Sequence, residues 1–381
     1  MQVRLTSIAK GGDSVARLDD GRVVFVRGGI PGELVDVDVT DDSHTSFWRG
    51  VVNDVIEASS DRVTPPCPVA GVCGGCDWQH INLPHQRALK AESIAEQMWR
   101  LGHQHVEVTV EAVAGDADGL GWRTRMRYLT DGAVVGLRGA RSHDLVPLPH
   151  TGCPLAAPGG PSVNEMIELK RAAKLDDKAE ICVTVADGVT VWSPGWGVLG
   201  GDEVVTQRAL GRDYAVRADG FWQVHPGAAD ALSAAVLESL RPKLGERALD
   251  LYCGVGLFAG ALAAAGVEVF GLESDRDAVE LARRNVPDAW FEVGRVEREP
   301  WPSSADVAVL DPPRSGAGRA VIERVTAARP RAIAYVACDE AALGRDTATL
   351  ATLGYALREL RAFDIFPMTS HVECVATFIP D

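Results

Sequence analysis

From about residue 218 onward, β-branched apolar runs alternate with helix-patterned ones, and no other feature restricts the fold so sharply. The order is RALDLYCGVG (strand and turn), LFAGALAAAG (helix), VEVFGLESD (strand), AVELARRNV (helix), ADVAVLDPPRSG (strand and loop) and AIAYVACDE (strand). Parallel strands need long crossovers and helices supply them, so this alternation predicts a mostly parallel, doubly wound α/β sheet. Two further runs, LRELRAFDIFP and HVECVATFIP, are separated by a short Met-Thr-Ser turn and predict an antiparallel hairpin closing the sheet's edge. A helix from about Pro226, at the first-turn position that proline favours, would place Leu232, Val236, Leu237 and Leu240 on one face.

With 381 residues, 46% of them hydrophobic, the chain exceeds one domain. Residues 1–58 read as short strands with glycine turns, Asp20-Gly21 among them, and predict a small β-barrel. Around Thr64-Pro65-Pro66 the composition changes to a cysteine- and glycine-rich stretch, followed by a helix from Pro84 to Leu101. The span 59–217 is read as a central mixed α+β region and 218–381 as the α/β domain. The longest nearly apolar stretch, LFAGALAAAG, is too short to span a bilayer, and the first residues lack a long apolar core, so a cytoplasmic protein without a membrane association is expected. Eight cysteines are too few for a disulfide scaffold in a chain of this size, which suits a reducing compartment.

A formal net charge of −15 argues against indiscriminate binding of polyanions and confines any nucleic-acid contact to a local patch. The segment from Gly121 to His143 is one: five arginines face a single acid, Asp131. Arg123, Arg125 and Arg127 alternate as on one face of a strand, suited to holding an RNA backbone and equally to an ordinary solvated face. The N-terminal segment is different, since residues 1–60 carry 6 basic and 10 acidic side chains.

The α/β region also contains a ligand-binding pattern. Asp250-Leu-Tyr-Cys-Gly-Val-Gly256 follows a strand and opens a helix, where glycines allow close approach of the backbone to a ligand. The third glycine of the dinucleotide fingerprint is missing, which disfavours a nicotinamide cofactor. Glu273, 23 residues after Asp250, ends the next strand, placed to accept hydrogen bonds from ribose hydroxyls. Asp311-Pro312-Pro313-Arg314 ends a third strand, and Arg314 stands where an aromatic would have suggested methylation of an exocyclic amine. Cys338 follows an apolar run, and Glu373 lies 35 residues later. A thiolate and a carboxylate beside a methyl donor are what methylation of an unreactive pyrimidine carbon requires.

Taken in order, FWQVHPGAADAL, DLYCGVGLFAG, LDPPRSG, YVACDEAALGRD and DIFPMTSHVECV resemble the successive motifs of the class I S-adenosylmethionine-dependent RNA (uracil-5-)-methyltransferases. GGDSVARLDDGRVVFVRGGIPGELVDV resembles the TRAM domain, an OB-like RNA-binding module, and the cysteines resemble those of the iron–sulfur, ribosomal-RNA branch. The resemblance implies a Rossmann-like catalytic domain in which Gln223, Tyr252, Glu273 and Asp311 contact S-adenosylmethionine, with Leu257 close by. It implies Cys338 as nucleophile at C6 of uracil and Glu373 as the base that removes the C5 proton. A helix after Cys338 could lower its pKa, with Asp339 and Glu340 opposing that. Two departures stand out: His225 replaces the usual Asn, and GRVER around Gly294 lacks the usual acid or amide.

Cys67, Cys73, Cys76 and Cys153 supply four thiolates whose spacing suits an iron–sulfur cluster or zinc alike. The resemblance implies a [4Fe–4S] cluster, leaving Cys182, Cys253 and Cys374 structural. Ribosomal RNA is the implied substrate, with no obligate protein partner. Methylation of cytosine C5 or another RNA position, and a noncatalytic RNA-binding role, are the competing readings.

Overall fold

In the computed structural model, which describes residues 1–115 and 118–381, the N-terminal segment forms six strands: β1 (Gln2–Arg4), β2 (Ser7–Ile8), β3 (Ser14–Arg17), β4 (Val23–Arg27), β5 (Leu34–Asp41) and β6 (Phe47–Glu57). They pair in the order β1-β5-β6-β4-β3-β2. The two end strands, β1 and β2, are separated only by Leu5 and Thr6, so the sheet curls on itself around Val3, Ala16, Val24, Val26, Val35 and Val37. Alternation puts those valines inside and their neighbours toward solvent. Gly21 takes φ 86° in the turn leading to β4, as the Asp-Gly pair predicts.

Helix α1 (Leu83–Gly102) starts at Asn82, whose side chain accepts the His85 N–H, and ends at His103 in the left-handed region. Its buried face, Gln86, Leu89, Lys90, Ile94, Gln97 and Met98, includes three polar residues. After β7 (Val110–Ala112) comes an antiparallel sheet of β8 (Arg125–Asp131), β9 (Val134–Arg138), β10 (Leu145–Pro147), β11 (Glu180–Val185), β12 (Val189–Ser193) and β13 (Gly197–Gly200), in the order β10-β9-β8-β11-β12-β13. Helix α2 (Val163–Ala172) covers it through Met166, which packs with Met126, Tyr128 and Ile181. A separate hairpin, β14 (Val204–Ala209) and β15 (Arg212–Arg217), leads into the α/β region.

There the expected alternation is found: α3 (Ala228–Leu240), β16 (Arg247–Leu251), α4 (Leu257–Ala264), β17 (Glu268–Glu273), α5 (Arg276–Asn285), β18 (Trp290–Val293), β19 (Val307–Leu310), α6 (Arg319–Ala327), β20 (Ala332–Ala337), α7 (Glu340–Thr352), β21 (Tyr355–Asp364) and β22 (Glu373–Pro380). The sheet order is β18-β17-β16-β19-β20-β22-β21-β7, with two apolar cores on its faces. No helix of the described residues is long and apolar enough to cross a membrane.

Two details differ from the sequence reading. The terminal strands do pair antiparallel, but β22 is inserted between β20 and β21, and residues 365–372 connect them instead of a three-residue turn. The outer edge of β21 is then covered by β7, which pairs parallel to it through Ala362, Phe363 and Asp364. An uncovered β21 would present a row of unsatisfied backbone groups. The region 59–217 is therefore not one unit: α1 packs on α7 and β7 completes the C-terminal sheet, while β8–β13 form a sheet of their own.

Candidate active site

The carboxyl ends of β16, β17, β19 and β20 and the amino end of β22 open onto one cleft of about 790 Å³. On one side the chain builds a receptor from consecutive motifs. Tyr252, immediately after β16, is held at φ 66°, a conformation disfavoured for a bulky residue, and its buried hydroxyl has no partner among the described residues. Gly256 caps α4 at φ 90°; a Cβ there would lie 3.3 Å from Phe291 and Val286, so glycine is required. Asp250 is fully buried, takes the Ala259 N–H at 2.8 Å on one oxygen, and has its other oxygen unpartnered. Burial, then the charges of Asp311 and Glu273, push its carboxyl up to about 7.

Glu273, at the end of β17, is fastened by its own turn. It accepts from the Ser274 N–H (2.5 Å), the Ser274 hydroxyl (2.9 Å), the Asp275 N–H (2.9 Å) and the Gly254 N–H (3.1 Å). Asp311, following β19, is pushed up to about 7 by burial and by Glu273. Gln223 and Tyr252 line the cleft with Glu273 and Asp311. Leu257 does not: it is buried in the first turn of α4 with its carbonyl accepting from the Tyr214 hydroxyl, and Val255 takes the lining position. Around Gly294 an acid is present after all, because Glu297 lines the wall. His225 is buried beneath, its Nδ1 accepting the Gly227 N–H at 3.2 Å, and burial pushes its pKa down to about 4.

The opposite side holds Cys338, Glu373 and Arg314. The antiparallel register pairs Ala337 with Cys374, so Cys338 leaves β20 where Glu373 enters β22. Glu373 is 4% exposed, and burial together with Asp311 pushes its carboxyl upward while Arg314 opposes. The Cys338 thiol is pushed up to about 11 by burial, then by Glu373 and Asp311, with Arg314 again pulling down. The helix N-terminus and the acids that the sequence sets against it leave the thiol raised, not lowered. The Asp339 side chain caps α7, accepting the Ala342 N–H at 2.8 Å, so one amide of the helix start is already occupied. Lys10, from the turn ahead of β3, pairs with Asp339 at 2.5 Å.

The sequence reading missed Phe221, whose ring lines the same cleft while 73% exposed, and gave Arg314 no role beyond replacing an aromatic. The exposed Phe221 preceding Gln223 was the available signal for the first. The second required knowing which strands are neighbours.

The three alternating arginines do not form one surface patch. Arg125 is turned inward, donating to the carbonyls of Ala218 (2.8 Å) and Gly220 (2.7 Å), so it bolts β8 to the segment leading into Phe221. Arg123 is half-buried with a buried Nε that lacks a partner, and only Arg127 is exposed, 3.4 Å from Glu180. Cys67, Cys73, Cys76 and Cys153 gather near one another, all as free thiols. Burial and then the charges of Cys153, Cys73 and Cys67 push the Cys76 thiol up to about 12. N–H groups are directed at the sulfurs, from Gly75 to Cys73 (3.4 Å) and from the Gln79 amide to Cys76 (3.0 Å). Soft donors with amide support fit a thiolate-ligated centre in chemistry, although no group of three or more potential ligands among the described residues stands in metal-holding geometry.

Comparison with known proteins adds the following. Residues 1–47 match the TRAM domain model and residues 226–334 the model of the methyltransferase small domain. The chain is 42% identical to an uncharacterized RNA methyltransferase of Streptomyces avermitilis, over 100% of this chain and 98% of that protein. It is 31% identical to the 23S rRNA (uracil(1939)-C(5))-methyltransferase of Shewanella amazonensis, over 94% of this chain and 91% of that one. Among solved structures, Pyrococcus abyssi tRNA (uracil-54, C5)-methyltransferase with S-adenosyl-L-homocysteine superimposes with a TM-score of 0.78, 24% identity and 100% of both chains covered. At that identity the likeness speaks for the fold.

Proposed function

This chain belongs to the RNA methyltransferases that it matches from end to end, and on that premise we propose that it methylates C5 of a uridine in structured RNA. The observation that carries the reading is the meeting of Cys338 and Glu373 on adjacent strands at the floor of a cleft whose other wall is a nucleoside-type receptor. That wall suits S-adenosylmethionine: Glu273 for ribose hydroxyls, the unpartnered Tyr252 hydroxyl, a glycine turn, Glu297 for the adenine side, and acidic Asp311 to face a sulfonium. When bound, S-adenosylmethionine supplies the methyl group.

Uracil C5 is a weak nucleophile. The Cys338 thiolate adds to C6, forming a carbon–sulfur bond and moving electron density onto C5. Once C5 carries the methyl group, Glu373 takes the C5 proton, the C5–C6 double bond re-forms, and the carbon–sulfur bond breaks to return the thiolate. A carboxyl whose pKa is raised by burial and by Asp311 is a better base than a solvated one. Arg314, the cation felt by both side chains, favours their ionised forms.

The target base has to leave its stack to reach this floor, and exposed Phe221 offers an aromatic face at the cleft. Arg127 is the member of the arginine row retained as an RNA-backbone contact, and the TRAM-like sheet, read as OB-like, is a second candidate surface. Ribosomal RNA as substrate rests on the named activity of the Shewanella relative. Cys67, Cys73, Cys76 and Cys153 are assigned to a [4Fe–4S] cluster, with zinc as the alternative, and neither takes part in methyl transfer. A cytoplasmic location follows from such a substrate.

The test is nucleoside mass spectrometry of ribosomal RNA from cells with and without the protein. Loss of 5-methyluridine at one position is expected; loss of 5-methylcytidine, or no loss, overturns the reading. Absorbance and metal content of anaerobically purified protein decide between iron and zinc.

A further inference from the structure

Glu373 is preceded by the loop 365–372, and the fold grips that loop to an unusual degree. Met368, five residues before Glu373, is held at φ 64°, in the left-handed region that a methionine rarely adopts. Its carbonyl accepts two amides at once, from Asp77 (3.0 Å) and Trp78 (3.1 Å). Its N–H donates to Gln86 Oε1 (2.9 Å), and Gln86 Nε2 reaches its sulfur (3.3 Å). Gln86 is wholly buried in α1, its amide also donating to the carbonyls of Trp78 (3.0 Å) and Ile81 (2.8 Å). Two residues on, the Ser370 N–H donates to Asp77 Oδ2 (3.2 Å).

At its start the loop is tied by a fully buried ion pair, Lys90 Nζ to Asp364 Oδ1 (2.5 Å), and Lys90 also donates to the Phe366 carbonyl (3.0 Å). A strained residue persists only where its surroundings over-determine it, and such residues cluster where geometry matters for function. The nearest chemistry downstream is the Glu373 carboxylate.

We propose that Gln86 and Met368 are positioning residues that set the Glu373 carboxylate for removal of the C5 proton. The socket formed by residues 77–90 fixes the left-handed turn, and the turn fixes where β22 begins. This inference rests on Glu373 being the base. It goes beyond that assignment by giving control of the resolving step to a helix and a cysteine-flanking segment that lie some 290 residues earlier in the chain.

The proposal is tested in single-turnover reactions of the full chain with an unmodified 23S ribosomal RNA transcript and methyl-labelled S-adenosylmethionine. Covalent protein–RNA adduct is read on denaturing gels alongside released methylated RNA. Glu373→Gln is the reference and should accumulate adduct. Gln86→Ala and Met368→Val, the latter because a β-branched residue resists positive φ, should slow release about tenfold or more while methyl incorporation changes less than about twofold. Met368→Gly tolerates the turn and should release RNA close to the parent rate. The Val and Gly pair stands if Gln86→Ala does not fold, and affinity for S-adenosylmethionine should be unchanged throughout. If Glu373→Gln stalls while Gln86→Ala and Met368→Val release normally, the positioning role is wrong and the base assignment survives. If Glu373→Gln does not stall, the base assignment itself fails.

Discussion

The two walls of the cleft are built in opposite ways. The receptor wall is nearly self-sufficient: Asp250, Tyr252, Gly254, Gly256 and Glu273 come from one strand–helix–strand stretch, and Glu273 is held by amides of its own turn and of Gly254. The reacting wall is braced from far away. Lys10 touches Asp339, Gln86 holds Met368, Lys90 neutralises Asp364 and β7 covers β21. A binding site for a small, invariant ligand can be carried by local sequence, whereas the wall to which we assign the nucleophile and the base recruits the rest of the molecule.

That contrast is open to attack, starting with the largest effect. Cys338→Ala should lose methylation by on the order of 10³-fold or more while calorimetry still finds S-adenosylmethionine bound, because the thiol belongs to the reacting wall alone. Equal loss of both would merge the two walls. Glu273→Gln should do the reverse, weakening S-adenosylmethionine about ten- to hundredfold through the lost charge-assisted hydrogen bonds, with the rate at saturating cofactor much less affected.

Lys90→Met should destabilise the fold by about 3–5 kcal/mol in denaturant titration, since it strips one partner from a buried pair. The lower end is expected, because Arg87 stays 3.0 Å from Asp364. Next comes pH. With the Cys338 thiol pushed up to about 11, its thiolate is the minor form near neutrality. Alkylation of Cys338 by iodoacetamide should therefore climb about tenfold per unit between about pH 7 and pH 9. A plateau below about pH 8 would mean that neither burial nor the carboxylates raise the thiol. The smallest effect is expected for Lys10→Met, which should change that alkylation by less than about twofold, because it breaks a partly exposed pair with Asp339 whereas burial, Glu373 and Asp311 raise the thiol.

The sequence revealed the receptor wall in detail because its signals are local: a strand, a glycine turn and an acid at the next strand end. Cys338 and Glu373 were legible too, each sitting at a strand terminus in its own motif. Their adjacency was only partly so. Insertion of β22 between β20 and β21 depends on long-range pairing, and a three-residue strand such as β7 is too short to show periodicity. The arginine row misled for a related reason. Alternation places Arg125 and Arg127 on one side of β8, but whether that side meets water or the Ala218–Gly220 carbonyls is decided by a segment about ninety residues away. Nothing in the sequence marks Gln86 and Lys90 as interior, since their partners Met368, Asp364 and Phe366 lie about 280 residues away.

The placement of β22 has one further consequence. It is synthesised after both of its sheet neighbours, so a nascent chain can pair β16 through β20 yet must hold β20 and β21 apart, or separate them again, until the intervening strand emerges. Pairing between segments so distant in sequence closes slowly, and a ribosome stalled before residue 373 would expose two unpaired strand edges instead of a finished enzyme.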